Sequence, residues 1–293
     1  MFRDTGVEWN AFEGIHPVMS ASKDYDAGLD SFVDLIDYLV NDLKYSCIKF
    51  IGFINEPNGG WWRGGVVPIA QAWKDIRAKL DARGFQDLPL AGPDEALGYH
   101  MPGDPPDFTP DGSHWQYFGV YDFHLYGAIE GMAEEMSDWI NRAREDNKPV
   151  IAGEYGGSGA DYKTVLGVAR WSLIQLNAGI DGLCHWEFND WDDMDGKWSM
   201  VNIWDPYKND VVPYYDIAPK INQYYLNGLI HRFTAKNSSV LKTSKDNDDI
   251  YTAALRSPNG NYSIYVLNYS DTTNSEVTIT LDNLAEAKTL HRC

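Results

Sequence analysis

The 293-residue sequence predicts an α/β fold: a (β/α)8 TIM-type barrel, N-terminally incomplete, followed by a small C-terminal antiparallel β-sandwich-like domain. Three features predict it. Short β-branched runs alternate strictly with amphipathic stretches of helix length, as a parallel sheet requires. Two of those runs, Ile48–Asn58 (IKFIGFINEPN) and Pro149–Gly157 (PVIAGEYGG), carry a glutamate at the carboxyl end and then a Pro or Gly-Gly that releases the chain. Parallel α/β proteins build their sites at such strand mouths. From about Ile230 the pattern becomes apolar–polar alternation with Pro-Asn-Gly and Ser-Asp-Thr-Thr turns between, which signals antiparallel strands. The expected domains are residues 1–229 and 230–293.

Val7–Phe12 reads as a short strand. In Leu29–Leu43 the residues Leu29, Phe32, Val33, Ile36, Leu39, Val40 and Leu43 recur at helical spacing. After the Ile48 strand, Val67–Arg83 is a second helix stopped by Gly84, and Leu88–Gly92 the next strand. Pro93–His114, rich in Pro, Gly and Asp, is expected to be a loop. Val120–Tyr126 is a strand that puts His124 and Tyr126 on one face. Helices are expected at Gly131–Asn147, at Asp161–Asn177 before Gly179, and at Tyr214–Leu226; a strand is expected at Gly182–Phe188. The tail strands are Ile250–Leu255, Tyr262–Asn268 and Glu276–Leu281.

The formal net charge of -19 excludes nucleic acid and anionic membrane surfaces as partners, since both demand Lys and Arg. No stretch is apolar enough to span a membrane, and the start MFRDTGVEW contains no signal peptide, although a secreted full-length form is expected. Cys47, Cys184 and Cys293 form no disulfide framework; Cys47 and Cys184 read as small core hydrophobes. Eleven Trp and eighteen Tyr supply flat apolar faces with polar edges, suited to sugar rings as well as to packing, so a neutral polysaccharide is the expected partner.

Two carboxylates aimed across one mouth, Glu56 and Glu154, are the minimum for splitting a glycosidic bond: one protonates the leaving oxygen and the other attacks the anomeric carbon. Each alone reads equally as an acid after a strand near a helix N-terminus. Trp61 and Trp62, just after Glu56, are placed for stacking on sugar. His124 reads either as a satisfied strand histidine or as a substrate contact. His185 and Glu187 flank Trp186 on the opposite face and read as structural. The acidic run Asp190–Asp195 lacks the alternation and terminal Glu of a calcium loop, so a substrate-facing loop is expected there and no metal or cofactor.

Asn55-Glu56-Pro57, the His124-Leu125-Tyr126 strand, Gly153-Glu154-Tyr155-Gly156 and Trp186, in this order, resemble the retaining glycoside hydrolases of clan A, among them families 5, 30 and 39, over roughly residues 7 to 230. The resemblance implies Glu56 as acid/base, Glu154 as nucleophile and Asn55 as the partner of the sugar 2-hydroxyl. It also implies that Tyr126 hydrogen-bonds the nucleophile and that Trp186 is a platform under the reacting sugar, with His124 beside them. The activity so implied is an endo-β-1,4-glucanase (cellulase-type) acting on β-glucan or a related polysaccharide. The rivals are an exo-acting β-xylosidase, β-glucosidase or β-mannosidase, and a glycan-binding barrel without turnover. Two departures stand out. No residue matches the Arg that the clan supplies from its second strand, and the first two βα units are missing from the strand count. An open barrel edge predicts a homo-oligomer.

Overall fold

The computed structural model describes residues 9–10, 25–59, 67–97, 113–126, 132–157, 161–190, 198–202, 204–205, 210–211, 217, 219, 221–270, 272, 276–280 and 282. Six parallel strands stand in chain order in one curled sheet: β1 (Trp9–Asn10), β2 (Ile48–Gly52), β3 (Leu90–Ala96), β4 (Phe118–Tyr126), β5 (Val150–Gly156) and β6 (Gly182–His185). Helices α1 (Tyr25–Asp37), α2 (Ile69–Ala82), α3 (Met132–Glu145) and α4 (Tyr162–Ala178) fill the crossovers, and α5 (Ile221–Phe233) follows. Among the described residues β1 and β6 do not pair, so the sheet is an incomplete barrel.

The seven periodic apolar residues of the first helix all face the core, although α1 continues through a π turn at Tyr38–Asp42. Phe32, Phe53, Trp73, Phe118, Trp115 and Trp139 form an unbroken row of edge-to-face rings with centroids 4.7–6.2 Å apart, joining α1, the residue after β2, α2, the start of β4 with the turn before it, and α3. Part of the tryptophan surplus is therefore spent between sheet and helices. The fourth helix ends as its sequence dictates: the Asp161 side chain accepts the Thr164 N–H at 3.0 Å, and Gly179 adopts the left-handed φ of 95° that closes the C-terminus.

A three-stranded antiparallel sheet, β7 (Ser239–Leu241), β8 (Ile250–Arg256) and β9 (Tyr262–Asn268), docks on α4 and α5. Leu173 and Leu176 meet Ala253 there, the Arg170 guanidinium lies 4.6 Å over the Tyr269 ring, and the Tyr265 hydroxyl donates to the Ile230 carbonyl at 3.0 Å.

Four expectations need correction. The Leu88 strand runs on to Ala96, so Pro93–Ala96 is ladder and not loop. The last helix begins at Ile221, because Pro219 cannot sit inside a helix. Residues 276–280 of the expected third tail strand pair with nothing in the described ladder, leaving Val277 and Ile279 exposed. Cys184 is exposed on β6, the last strand of the sheet among the described residues, whereas Cys47 is buried as expected. No described helix is long and apolar enough to cross a membrane.

His185 ends β6 with its ring edge-on to Tyr155 at 5.5 Å and its Nδ1 buried without a partner among the described residues. Burial, with a smaller contribution from the His231 charge, pushes it from the usual 6.5 down to about 4. A base whose folded pKa is depressed binds its proton more readily unfolded. Its contribution is thus full above pH 6.5 and is lost as pH falls towards 4, at about 1.4 kcal/mol per unit. His185→Phe is expected to flatten the fall in urea-unfolding stability across that window by up to about 3 kcal/mol relative to the parent. Parallel curves for the two proteins would show that His185 does not drive the acid lability.

Candidate active site

The polar cluster lies at the carboxyl ends of β2 to β5. Beyond β2 the chain continues through fully buried Phe53 and Ile54 and turns sharply, Glu56 taking a left-handed φ of 39°. That backbone is uncommon outside Gly, Asn and Asp, and two contacts to β3 hold it. The Glu56 N–H donates to the Asp94 carbonyl at 3.0 Å, and buried Asn58 staples the turn to Ala96 by donating to its carbonyl at 2.9 Å and accepting its N–H at 3.0 Å. Asp94 is itself left-handed, with φ 68°.

On β4, Asp122, His124 and Tyr126 alternate onto one face, and the ladder sets His124 opposite Glu154 on β5. The Tyr126 hydroxyl donates to Glu154 Oε2 in a short hydrogen bond. His124 is 0% exposed; its Nδ1 lies 3.0 Å from Glu56 Oε1 and 3.4 Å from Glu154 Oε2, and its Nε2 lies 2.9 Å from Asp94 Oδ1. One oxygen each of Glu56 and Glu154 and one His124 nitrogen fall within 4.8 Å of one another. The Glu56 side chain is 20% exposed and that of Glu154 7%, so the pair faces solvent from the Glu56 side.

Beneath them, fully buried Asp122 accepts the Gly153 N–H at 2.7 Å, while its Oδ2 and that of Asp94 have no partner among the described residues. Any side chain at Gly153 would fall on the Asp122 carboxylate. Burial first, then the Asp94 charge, raises the Asp122 pKa well above the usual carboxylate range, against the pull of His124 and the Gly153 N–H. Its neutral form is thereby favoured. For His124, burial opposes the charge, but Asp94 and Glu154 and the hydrogen bonds to Asp94 and Glu56 outweigh it, and the ring is held well above the ordinary histidine value. Asp94, Asp122 and His124 are also donor types that suit a divalent cation, with one atom each within 4.8 Å of the others. Both ring nitrogens are, however, engaged by carboxylates at hydrogen-bond distance.

Of the residues expected at the site, Glu56, His124, Tyr126 and Glu154 come together. Asn55 stands beside them with its Oδ1 buried and unpartnered among the described residues. Trp186 follows β6 on the neighbouring strand, its N–H donating to the Tyr155 carbonyl at 2.9 Å and its own carbonyl close to Gly156, where a Cβ would meet it at 2.6 Å. Trp61, Trp62 and residues 191–195 of the acidic run lie outside the described residues, and Asp190 pairs in a two-residue ladder with Asn202. Sequence reasoning missed Asp94, Asp122 and Asn58, and also Trp198, whose ring stands edge-on to Tyr126 at 5.2 Å. The available signal was Pro-Asp-Glu directly after an apolar strand.

No protein-family model matches the chain, and no curated protein matches its sequence. Its fold is shared with solved structures. A glycoside hydrolase family 30 subfamily 8 xylanase from Clostridium acetobutylicum aligns over 83% of this chain and 57% of its own, with TM-score 0.55 and 18% identity. A family 30 endoxylanase from Clostridium papyrosolvens aligns over 85% and 60%, with TM-score 0.54 and 13% identity. The catalytic domain of a family 30 xylanase from Talaromyces cellulolyticus aligns over 84% and 55%, with TM-score 0.53 and 12% identity. The chain thus shares its fold with part of these family 30 structures. It spans between 55% and 60% of the length of these structures.

Proposed function

We propose that this chain is a retaining glycoside hydrolase that cleaves a β-linked glycan by double displacement, with Glu154 as nucleophile and Glu56 as acid/base. The observation that carries the reading is that the two carboxylates converge on one nitrogen, His124 Nδ1 lying 3.0 Å from an oxygen of Glu56 and 3.4 Å from one of Glu154. Retaining pairs stand about 5–5.5 Å apart, whereas inverting pairs need about 6.5–9.5 Å to admit a water. Tyr126 donates to Oε2 of Glu154, which leaves Oε1 to attack the anomeric carbon. As that bond forms, the glycosidic C–O bond breaks and the proton of Glu56 passes to the leaving oxygen. Water then attacks the same carbon, gives its proton to Glu56, and releases Glu154 as carboxylate. The Asn55 side chain hydrogen-bonds the sugar 2-hydroxyl, and Trp186, Trp61 and Trp62 are the stacking residues.

A xylan-type glycan is the substrate class best supported, because the fold neighbours above are xylanases. The aromatic content that favoured an endo-β-1,4-glucanase argues less strongly now, since Trp73, Trp115, Trp139 and Trp171 are all buried. Proton NMR of the first sugar released from xylo-oligosaccharides and from aryl β-xylosides tests the reading: the β-anomer is expected first. The α-anomer first would overturn retention, and binding without any release would favour a glycan-binding barrel. Aryl β-glucosides and β-mannosides run in parallel separate the sugars.

The partner proposed for the open sheet is a second copy of the chain. β6 has one free edge among the described strands, and its residues are only partly covered. Unpaired edges recruit strands. Light scattering at micromolar concentration is expected to give more than one copy; an active monomer would end this proposal.

A further inference from the structure

Glu56, His124 and Asp94 close a ring. The imidazole Nδ1 meets the Glu56 side chain, Nε2 meets the Asp94 carboxylate, and the Asp94 carbonyl takes the Glu56 N–H. The same Nδ1 also faces Glu154, 0.4 Å farther away than Glu56 (3.4 Å against 3.0 Å). A neutral imidazole has one N–H and one lone pair. With Asp94 ionised, it could serve both carboxylates only by donating from Nε2 to Asp94 and accepting the Glu56 proton at Nδ1, which would turn that proton away from a leaving oxygen. An imidazolium donates to both and leaves the Glu56 proton free for transfer.

We propose that Asp94 is a positioning residue that keeps His124 as an imidazolium, and that the single Nδ1–H of this ring follows the negative charge from Glu154 to Glu56 and back during turnover. The inference rests on the proposed double displacement. Before attack the charge is on Glu154 and the proton on Glu56. In the glycosyl-enzyme Glu154 is an ester and Glu56, having given its proton to the leaving oxygen, carries the charge. The total on the pair is one negative charge in both states, and one cationic donor within reach of both oxygens serves both without moving its ring. The raised His124 pKa agrees with this. Among the described residues, the charged and titratable groups that act on the ring are Glu56 after β2, Asp94 on β3, Asp122 on β4 and Glu154 on β5, the last of these also held by Tyr126.

Asp94→Asn removes the charge while keeping the size, the carbonyl acceptor and a side chain that tolerates a left-handed backbone. Nitrogen NMR of imidazole-labelled protein, with the His124 signal assigned from a His124→Gln spectrum, reads the ring directly. The parent is expected to hold imidazolium across about pH 5 to 8, whereas Asp94→Asn releases that proton within the range. With an activated dinitrophenyl glycoside, Asp94→Asn is expected to slow glycosylation and deglycosylation alike, by roughly 10- to 100-fold. A neutral His124 in the parent, an unchanged titration in Asp94→Asn, or a loss confined to one of the two steps would overturn the proposal. Because the NMR readout needs no turnover, a chain that cleaves no glycoside would sink the functional reading while the ring's charge is still decided.

Discussion

Glu154→Ala is expected to lower turnover of every glycoside by about 10⁴ to 10⁶, the scale seen when a covalent nucleophile is removed. The loss is independent of leaving group, because no glycosyl-enzyme forms without the Glu154 oxygen. Azide, small enough for the space the carboxylate leaves, is expected to restore part of the rate. It attacks from the nucleophile's face in one displacement, so its product has inverted configuration. Glu154→Gln controls for structure, since it keeps an acceptor for the Tyr126 hydroxyl. Retention in the azide product, or full activity without azide, would remove Glu154 from the role.

Glu56→Ala is expected to divide substrates by leaving group. A general acid is worth about 10² to 10⁴ where the departing oxygen needs a proton and little where it does not. Natural linkages should lose that factor, while dinitrophenyl glycosides keep their glycosylation rate and accumulate glycosyl-enzyme for want of a base. Equal losses on both substrate types would contradict an acid/base role. The turn that carries Glu56 depends on Asn58 and Asp94, so circular dichroism should accompany the kinetics.

The elements legible in the sequence were those whose signals are local. The caps of α4 at Asp161 and Gly179, the apolar runs of β2 and β5, and the alternation in β8 and β9 each follow from a few neighbouring residues. Pro219 was equally local; given its weight, it would have moved the last helix to its observed start. Asp94 was hidden because Gly-Pro-Asp-Glu reads as a turn, yet the ladder between β3 and β4 continues across a register shift to Ala96 and His124. Asp122 looks like the exposed member of an alternating strand, and only the packing of β3 and β5 around it shows it to be fully buried. The carboxylate pair was visible as two glutamates at strand ends. Its spacing was not, because that depends on the left-handed turn at Glu56 and on the sheet register that brings Glu154 beside His124.

The most direct measurement is to trap the covalent intermediate. The protein is incubated with β-xylosides and β-glucosides that carry fluorine beside the anomeric carbon, which slows both steps, and a dinitrophenyl leaving group, which spares the first. Peptide mapping by mass spectrometry is expected to find one sugar per chain, esterified to Glu154 within Val150–Gly156, with Glu56 unmodified. A label on Glu56 or on another residue, or hydrolysis that inverts the anomeric centre and leaves no label, would contradict the double displacement assigned to this pair.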